Sequence, residues 1–508
     1  MGMGDTFSGI STPDDAYERY RRSQVRPDNW TNPEPASNYQ LVVIGAGPAG
    51  IAAAKVAAAL GARVALVERW LIGGGCLNNG CIPSKTLIRT SRLYAEMRDA
   101  ARYGAQVPND LHVDFEAVMA RVRRIRAHLS GNESAPQLAA AGIDVFFGDA
   151  RFTGSGTVMV DDKTLHFARA MIATGSRPRV PAVPGLEAAG YLTNENVFDL
   201  TQLPRRLLVI GGGPLGCEMA QAFRRLGSHI TIVQDMPLFL GNEERDAAQI
   251  LSDAFARDGI EVRLNTSVVG VRVEDGEKRV DLVSDDYRNT IAVDAIATGI
   301  GHLPNVEGLG LEAAGVEYDI DAGIHVDDFL CTTNPKIFAA GDVCLVHKYT
   351  HAAEAAARIV VQNALFRGRE RLSALVMPWC TFTDPEIAHV GLYVREANQL
   401  GIPIKTFTIP MHEIDRAATD SEEDGFVKIH VLGRTDKILG ATIVAKHAGD
   451  MINEITLAMV AGIRLRTLAK VIHAYPTQAA AIQKAAEAYY RTRFTPRIQA
   501  RFRGSLAR

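Results

Sequence analysis

A glycine pattern of the form Gly-x-Gly-x-x-Gly occurs twice in the sequence, each time between a short apolar, β-branched run and a helical stretch. The two apolar runs are 41–44 and 207–210. The glycines are Gly45, Gly47 and Gly50 in the first copy and Gly211, Gly213 and Gly216 in the second. The first glycine makes a tight turn, the second lets a pyrophosphate approach the backbone, and the third lets helix and strand pack closely. The duplication predicts an α/β chain with two Rossmann-like dinucleotide-binding domains.

The residues that end the second strand of each copy predict what each domain binds. Glu68 occupies this place in the first copy, where its carboxylate can accept a hydrogen bond from a ribose hydroxyl. Gln234 and Asp235 occupy it in the second copy, and no Arg or Lys follows before Arg245. Because arginine would favour the 2′-phosphate of NADPH, we expect NADH or NADPH as the electron donor, with NADH preferred.

Two cysteines, Cys76 and Cys81, lie in the glycine-rich stretch 73–85. An undistorted α-helix would separate them by about 7.5 Å along its axis, more than the roughly 7 Å between Cα atoms that a disulfide tolerates. If they pair, we expect a glycine-rich loop that turns into a helix, with Pro83 in the first helical turn. A thiol at that helix terminus would have a lowered pKa. Two buried and unreactive cysteines remain the alternative at this point.

Composition narrows the class of protein. The chain has 508 residues, 47% hydrophobic and 22% charged, as in globular enzymes of about three domains. A net charge of −3 offers no basic field for nucleic acid or an anionic membrane. No apolar run of membrane-spanning length is present, and acidic residues occupy the place of a signal peptide's apolar region, so we expect a cytoplasmic protein. Four further cysteines are expected to be packing residues: Cys217, Cys331, Cys344 and Cys380.

Changes in pattern along the chain predict its domain limits. The expected parts are a polar extension at 1–38, a first dinucleotide domain at 39–192 and 306–372, a second at 193–305, an α+β domain at 373–498, and a tail at 499–508. The extension is proline-rich, so we expect it to be ordered in part at best. Four arginines on a helix predicted for 114–129 are expected to form a solvated face: Arg121, Arg123, Arg124 and Arg126.

With these residues in view, the chain resembles the FAD-dependent pyridine nucleotide-disulfide oxidoreductases, the family of dihydrolipoamide dehydrogenase, glutathione reductase and mercuric reductase. The resemblance covers about residues 39–493, in order. The segments that carry it are 45–50, 76–85, 211–218, the two Ala-Thr-Gly segments ending at Gly175 and Gly299, Ala340-Gly341-Asp342, Thr383-Asp384-Pro385-Glu386 and 473–477.

The resemblance implies a cofactor for each dinucleotide domain and a role for each site residue. The first domain would bind FAD, with Asp342 on its ribityl chain, and the second would bind the nicotinamide nucleotide. Cys81 would lie against the flavin as the charge-transfer thiol, and Cys76 would be the outer thiol that meets the substrate. Lys85 would pair with Glu218 beside the flavin ring, with an ordinary surface ion pair as the alternative. The C-terminal domain would form a homodimer whose subunits share active sites.

The chain departs from the family near its C-terminus. In members that handle dithiols or glutathione, a His directly before Pro-Thr is the general base, and a Glu further along the chain orients it. Tyr475 and Ala480 occupy those positions here, and a tyrosine with an unperturbed pKa of about 10 is a poor base at neutral pH. His473 offers a substitute base or, alternatively, a packing residue. Efficient turnover of lipoamide or glutathione disulfide is therefore not expected.

Three functions follow from this pattern. Mercuric reductase has a tyrosine near its metal site, so we expect electrons to pass from NAD(P)H through FAD and a Cys76–Cys81 disulfide to a soft metal ion such as Hg(II), or to a small oxidant. No structural metal is expected, and Cys76 and Cys81 would be transient ligands of a substrate metal. No cysteine follows Cys380, so we expect the C-terminal cysteine pair of mercuric reductase to be absent. Its amino-terminal metal-binding domain, which carries a Cys-x-x-Cys motif, is also expected to be absent. The first alternative is a reductase of an unrecognised disulfide. The second is a redox sensor or electron-transfer component that acts on a protein partner.

Overall fold

The computed structural model describes residues 12–108, 111–285 and 287–494, together with 496, 499, 500 and 503. The first eleven residues of the expected extension and most of the expected tail lie outside the described residues. The chain divides into an N-terminal unit, Met1–Phe239 with Ile260–Leu375, and a C-terminal unit, Leu240–Gly259 with Val376–Arg508. Short 3₁₀ helices occur at Ala100–Tyr103, Gly131–Glu133, Val197–Asp199, Leu372–Ala374 and Met411–Glu413.

The first part of the N-terminal unit is built around a parallel sheet. Its elements are α1 (Ala16–Val25), β1 (Tyr39–Ile44), α2 (Pro48–Ala59), β2 (Val64–Glu68), α3 (Gly74–Asn79), α4 (Cys81–Arg98), α5 (Phe115–Ser130), α6 (Ala135–Ala140), β3 (Ile143–Phe147), β4 (Ala150–Gly154), β5 (Thr157–Val160), β6 (Lys163–Ile172) and β7 (Ser176–Pro178). β1 pairs in parallel with β2 and β6, and β3 pairs with β2. All of β2 is buried, as expected for a parallel sheet covered on both faces.

The second glycine motif begins the same plan again. The elements that follow are α7 (Leu186–Ala189), β8 (Arg206–Ile210), α8 (Pro214–Leu226), β9 (His229–Val233), α9 (Arg245–Asp258), β10 (Glu261–Arg263), β11 (Ser267–Glu274), β12 (Glu277–Val283), β13 (Arg288–Val293), β14 (Ala295–Thr298) and β15 (His302–Pro304). A parallel sheet has the strand order β10-β9-β8-β14, and β11, β12 and β13 form an antiparallel sheet. α9 groups with the C-terminal unit, although the sequence assigns it to the second dinucleotide domain.

The chain then returns to the first sheet. The elements of this return are α10 (Leu311–Ala314), β16 (Tyr318–Asp319), β17 (Gly323–Ile324), β18 (Ile337–Ala339) and α11 (Thr350–Phe366). β18 pairs in parallel with the end of β6, and α11 packs against α2. This pairing brings the start of α11 to the sheet that carries the first glycine motif.

The C-terminal unit has one antiparallel sheet with helices packed on it. Its remaining elements are β19 (Pro378–Thr381), β20 (Glu386–Gly391), α12 (Val394–Gln399), β21 (Ile404–Pro410), α13 (Asp415–Asp420), β22 (Phe426–Leu432), β23 (Ile438–Ala445), α14 (Ala448–Val460), α15 (Leu465–Leu468) and α16 (Ala480–Arg491). The strand order is β19-β20-β23-β22-β21. The predicted fold class, two Rossmann-like domains with an α+β domain, is confirmed. Within the described ranges, no helix is both long and apolar enough to cross a membrane.

Residues 12–38, the part of the expected extension that the structure describes, are folded. α1 packs against α5, and Val25 is fully buried. The indole N–H of Trp30 donates to the Val145 carbonyl oxygen at 3.2 Å. The side chain of Asn32 makes two hydrogen bonds with the Phe147 backbone, both at 2.8 Å. The polar side chains of this segment therefore bind specific partners on the first dinucleotide fold.

The arginines of α5 also depart from expectation, because only Arg124 of the four is exposed. Arg123 Nε donates to Asp15 Oδ2 at 2.6 Å. Arg126 is buried and donates to the Asn78 carbonyl oxygen at 2.9 Å. The predicted solvated face is wrong for these two residues, since α1 and α3 cover it.

Candidate active site

The stretch with the paired cysteines consists of two helices separated by a glycine. Cys76 lies in α3, and Cys81 is the first residue of α4. Gly80 has φ −130° and ψ −112°, and a Cβ there would lie 2.8 Å from the Gly75 carbonyl oxygen. The expected glycine-rich loop is thus a short helix followed by a break, with Pro83 in the first turn of α4 as predicted. The break allows the two sulfur atoms to meet despite their spacing in the sequence.

Cys76 and Cys81 are free thiols within hydrogen-bonding reach of each other. The hydrogen bond from Cys76 lowers the pKa of Cys81 to about 6, aided by the Thr350 hydroxyl and the Lys85 ammonium. The same hydrogen bond raises the pKa of Cys76. The opposite directions of the two shifts assign the thiolate of the pair to Cys81. A lowered pKa marks a reactive thiol, which favours the redox interpretation over two unreactive cysteines.

Thr350 is a site residue that sequence analysis missed. Its Oγ1 lies 3.4 Å from Cys81 Sγ. It is the first residue of α11, the helix that follows the Ala-Gly-Asp segment and the loop after it. The pairing of β18 with β6 brings this helix to the thiols, and a lone threonine in the sequence gives no sign of such a long-range contact.

Lys85 and Glu218 form an ion pair between α4 and α8, with Nζ 2.7 Å from Oε2. The Glu218 side chain is only 4% exposed and that of Lys85 is 36% exposed. An ordinary surface pair would leave both groups in water, so this geometry favours the functional interpretation. Lys85 lies one helical turn after Cys81 on the same face of α4, which explains why its charge stabilises the thiolate.

The first glycine turn has the space that a dinucleotide requires. Gly45 has φ +105°, and a Cβ at Gly50 would lie 1.8 Å from the Gly45 carbonyl oxygen. At Gly47 the nearest atom to such a Cβ is 3.8 Å away, so this side of the turn is open. Glu68 is buried and accepts hydrogen bonds from the Ala46 and Trp70 amides at 2.7 and 2.6 Å. Its carboxylate thus holds the turn in place, and burial raises its pKa.

The second glycine turn is built like the first, with the neutral side chain of Gln234 in the place of Glu68. Gly211 has φ +105°, and a Cβ at Gly216 would lie 2.2 Å from its carbonyl oxygen. Gln234 Oε1 accepts a hydrogen bond from the Gly212 amide at 2.7 Å, as Glu68 does in the first turn. Gln234 Nε2 donates to Asp235 Oδ1 at 3.1 Å. Both turns therefore fit the phosphate-binding role predicted for them.

Asp342 lies where two segments of the first fold meet. Its Oδ2 accepts a hydrogen bond from the Ser176 hydroxyl at 2.7 Å, and Lys348 Nζ donates to its carbonyl oxygen at 2.7 Å. Gly175 and Gly341, beside these residues, have φ of +69° and +84°. Gly299 is in contact with the second turn, because a Cβ on Gly211 would lie 2.7 Å from its carbonyl oxygen.

Tyr475 belongs to the C-terminal unit and is 78% exposed. Its hydroxyl donates to Asp415 Oδ2 at 2.9 Å, and this carboxylate raises the pKa of Tyr475. Tyr475 is therefore an even poorer base than an isolated tyrosine. His473 Nε2 lies 3.1 Å from both carboxylate oxygens of Glu454, and its Nδ1 lies 3.3 Å from the Val471 carbonyl oxygen. With both ring nitrogens engaged, His473 fits the packing role.

The other four cysteines are buried or half-buried. Cys217 is fully buried, which raises its pKa, and burial raises the pKa of Cys344 to about 12. Cys331 and Cys380 are half-buried. In the part of the chain that the structure describes, no group of three or more His, Cys, Asp or Glu side chains is arranged to hold a metal ion.

We expect Cys81 of the reduced protein to react with iodoacetamide with an apparent pKa of about 6. The thiolate is present above that pKa and is lost as the pH falls through it, so the alkylation rate should decrease between about pH 7 and about pH 5. Mass spectrometry of Cys81 modification measures this rate. Cys76→Ala removes the donated hydrogen bond and should raise the midpoint. A wild-type midpoint near the unperturbed value of about 8.5 would contradict the assignment.

Comparison with known proteins identifies the family to which the chain belongs. Residues 39–358 match the family model of pyridine nucleotide-disulphide oxidoreductases, and residues 377–486 match the dimerisation domain of that family. Mercuric reductase from Lysinibacillus sphaericus is 33% identical over 449 residues, which cover 88% of this chain and 82% of that protein. Dihydrolipoyl dehydrogenase from Chlamydia muridarum is 35% identical over 454 residues, which cover 87% of this chain and 94% of that protein.

A solved structure agrees with these sequence matches. The Cu(II) complex of the HOCl-induced flavoprotein disulfide reductase RclA from Escherichia coli superposes with a TM-score of 0.79 at 29% identity, covering 88% of this chain and 99% of that one. The matches extend over both glycine turns, the paired thiols and the C-terminal sheet. On this basis the chain belongs to the pyridine nucleotide-disulphide oxidoreductase family, whose members are flavoprotein enzymes that typically use FAD and NAD(P)H.

Proposed function

We propose that this flavoprotein passes electrons from NAD(P)H to a Cys76–Cys81 disulfide and from there to a soft metal ion such as Hg(II), or to a small oxidant. The observation that carries the proposal is the thiol pair, in which Cys81 is held as a thiolate by Cys76, Thr350 and Lys85. Bound FAD supplies the two-electron chemistry that links the nucleotide to the disulfide. Cys76 is the outer thiol and Cys81 the inner thiol. Glu218 holds Lys85 in place, and the Lys85 ammonium keeps its positive charge near Cys81.

The residues assigned to the cofactors form two groups. FAD would be held by Gly45, Gly47, Gly50, Glu68, Gly175, Gly341 and Asp342. The nicotinamide nucleotide would be held by Gly211, Gly213, Gly216, Gln234, Asp235 and Gly299. The support is the pair of open glycine turns braced by Glu68 and Gln234. A cytoplasmic location is part of this proposal, because a reducing compartment would suit a catalytic thiol pair.

The choice of acceptor rests on Tyr475. Reduction of a disulfide substrate needs a group that moves protons at the outer thiol. Tyr475, bonded to Asp415, has a raised pKa and is unsuited to that task. A soft metal ion instead takes thiolates as ligands: Cys81 is already one, and the proton of Cys76 is released to water when the metal binds, so no protein-bound proton donor is required. The mercuric reductase relative supports a metal acceptor, and the RclA structure is an example of a similar protein that binds a metal ion, Cu(II). RclA is itself a disulfide reductase, so together with the dihydrolipoyl dehydrogenase relative it keeps a disulfide acceptor as the alternative.

A homodimer with shared active sites completes the proposal. Residues 377–486 match the family's dimerisation domain, and Tyr475 is highly exposed in the isolated chain. Such a residue would be available to the active site of a second subunit. A docking role of the N-terminal extension in a redox sensor has less support, because residues 12–38 pack on their own fold.

The metal acceptor is tested by following NAD(P)H oxidation with Hg(II) in excess low-molecular-weight thiol. Wild-type protein should oxidise one NAD(P)H for each Hg(II) reduced to Hg(0), since both are two-electron steps. Cys76→Ala should fall to the background rate, whereas Cys331→Ala, which changes a cysteine outside the site, should retain wild-type turnover. A high rate with lipoamide and none with Hg(II) would instead establish the disulfide-reductase alternative.

Gly47→Ala and Gly213→Ala should show which glycine turn binds FAD and which binds the nicotinamide nucleotide. The nearest atoms to the new Cβ would be 3.8 and 3.7 Å away, so both variants should fold. Each methyl group would occupy the space into which a pyrophosphate must come. We expect Gly47→Ala to retain about tenfold less FAD, and Gly213→Ala to keep FAD while its KM for the nucleotide rises about tenfold. Gly241→Ala, with no atom within 4 Å, is the control; full FAD occupancy in Gly47→Ala would contradict the assignment.

Steady-state assays should give a lower KM for NADH than for NADPH. The reason is that Gln234 and Asp235 offer no positive charge to a 2′-phosphate. Asp235→Arg should shift the preference towards NADPH, and Asp162→Arg, with the same change of charge at an exposed turn, should not. A clearly lower wild-type KM for NADPH would show that the assignment of these two residues is wrong.

A further inference from the structure

The segment from α1 to Arg26 contacts the loop before α3 at two places and α3 itself at a third. The Ile72 amide donates to the Val25 carbonyl oxygen at 3.1 Å. Arg26 Nη1 donates to the carbonyl oxygens of Arg69 and Trp70, at 2.5 and 2.9 Å. The third contact is made by Arg21 of α1, whose Nη1 donates to Asn78 Oδ1. The segment therefore contacts both the loop that enters α3 and the end of α3.

The Arg21 contact is buried and has a fixed geometry. Arg21 Nε and Nη2 donate to the two carboxylate oxygens of Glu18, at 3.0 and 2.5 Å. Glu18 is 1% exposed and Arg21 is 7% exposed. A bidentate pair of this kind holds the guanidinium in one orientation, and its remaining N–H groups point to a defined acceptor. That acceptor is the side chain of Asn78, two residues after Cys76.

Asn78 uses its whole amide to hold α3. Its Nδ2 donates to the carbonyl oxygens of Ile72 and Gly74, at 3.0 and 2.9 Å. Its Oδ1 accepts from Arg21, and its backbone carbonyl oxygen accepts from Arg126 at 2.9 Å. Without Arg21, Oδ1 would be a buried acceptor with no partner, and the amide would favour another arrangement.

The pair on α1 is itself anchored to α5. Asp15 caps α1 by accepting from the Glu18 amide at 2.9 Å, and its other oxygen accepts from Arg123 Nε at 2.6 Å. α5 thus fixes α1 through Arg123 and fixes α3 through Arg126. Arg123 and Arg126, which the sequence predicted to be solvated, therefore anchor α1 and the Cys76 helix to α5.

We infer that the Glu18–Arg21 pair is a positioning device that sets the Cys76 helix relative to Cys81 and thereby tunes the thiol–disulfide equilibrium. The inference rests on the proposed redox role of the two cysteines. A helix held close to its partner thiol raises the effective concentration of one thiol at the other, which favours the disulfide. Loosening α3 lowers that concentration, so the disulfide becomes easier to reduce and Cys76 becomes more accessible to reagents.

The test uses the full-length, FAD-loaded protein with Glu18→Gln/Arg21→Met, a double change that leaves neither charge buried alone. The protein is equilibrated in mixtures of reduced and oxidised dithiothreitol, and the Cys76–Cys81 disulfide is quantified by mass spectrometry after alkylation. We expect the equilibrium constant to shift about tenfold towards the dithiol, equivalent to about 30 mV. Alkylation of Cys76 in the reduced protein should accelerate, and Arg21→Lys should fall between wild type and the double variant.

The matched control is Arg19→Ala, which removes an exposed arginine from the same helix. It should leave the midpoint of the Cys76–Cys81 dithiol–disulfide equilibrium and the alkylation rate of Cys76 as in the wild type. A lower melting temperature of the double variant with an unchanged midpoint would assign the pair a purely structural role and overturn the inference. If the wild-type protein forms no Cys76–Cys81 disulfide in any mixture, the proposed function fails, and the inference fails with it.

Discussion

The site depends on close contact between two glycine backbones. A Cβ on Gly74, at the start of the Cys76 helix, would lie 2.7 Å from the Gly47 Cα in the first phosphate turn. The Gly73 amide also donates to the Ala46 carbonyl oxygen at 2.8 Å. A side chain on Gly74 would therefore collide with the turn, and its absence holds the Cys76 helix directly beside the predicted dinucleotide site. A redox pair can exchange electrons with a cofactor only at such short range, and glycine is the residue that permits it.

The electrostatic surroundings of Cys76 and Cys81 stabilise a thiolate at Cys81 and leave Cys76 protonated. Cys81 is at a helix N-terminus, near Lys85 and hydrogen-bonded by its neighbours, so its thiolate is stabilised. Cys76 has a raised pKa. Tyr475, which the family resemblance assigns to the base position, has its hydroxyl bonded to Asp415. A metal ion that binds the Cys81 thiolate and displaces the Cys76 proton to water needs no protein-bound proton donor, and it suits this arrangement better than a disulfide does. A tyrosine at the base position and a metal substrate are therefore consistent parts of the proposed chemistry.

Sequence analysis identified local features well and long-range ones poorly. The glycine turns, the strands beside them and the helix at Cys81 depend on neighbouring residues, so their patterns could be recognised in the chain. Thr350 could not be found in this way, because the pairing of β18 with β6 brings it to Cys81 from a distant part of the sequence. The buried Arg123 and Arg126 were misjudged for the same reason, since a charged helix face looks solvated until its partners are known.

The sequence by itself determined the α/β class, the two nucleotide folds and the C-terminal α+β domain, and it singled out the cysteines of the proposed site, because backbone turns and hydrophobic periodicity are encoded locally. Only the tertiary structure decided which thiol is the thiolate, that Lys85 and Glu218 are no ordinary surface pair, and that a polar N-terminal segment supports the Cys76 helix. Proton affinity and ion-pair strength depend on burial and on the distance to partners far away in the chain. Those quantities exist only once the chain has folded.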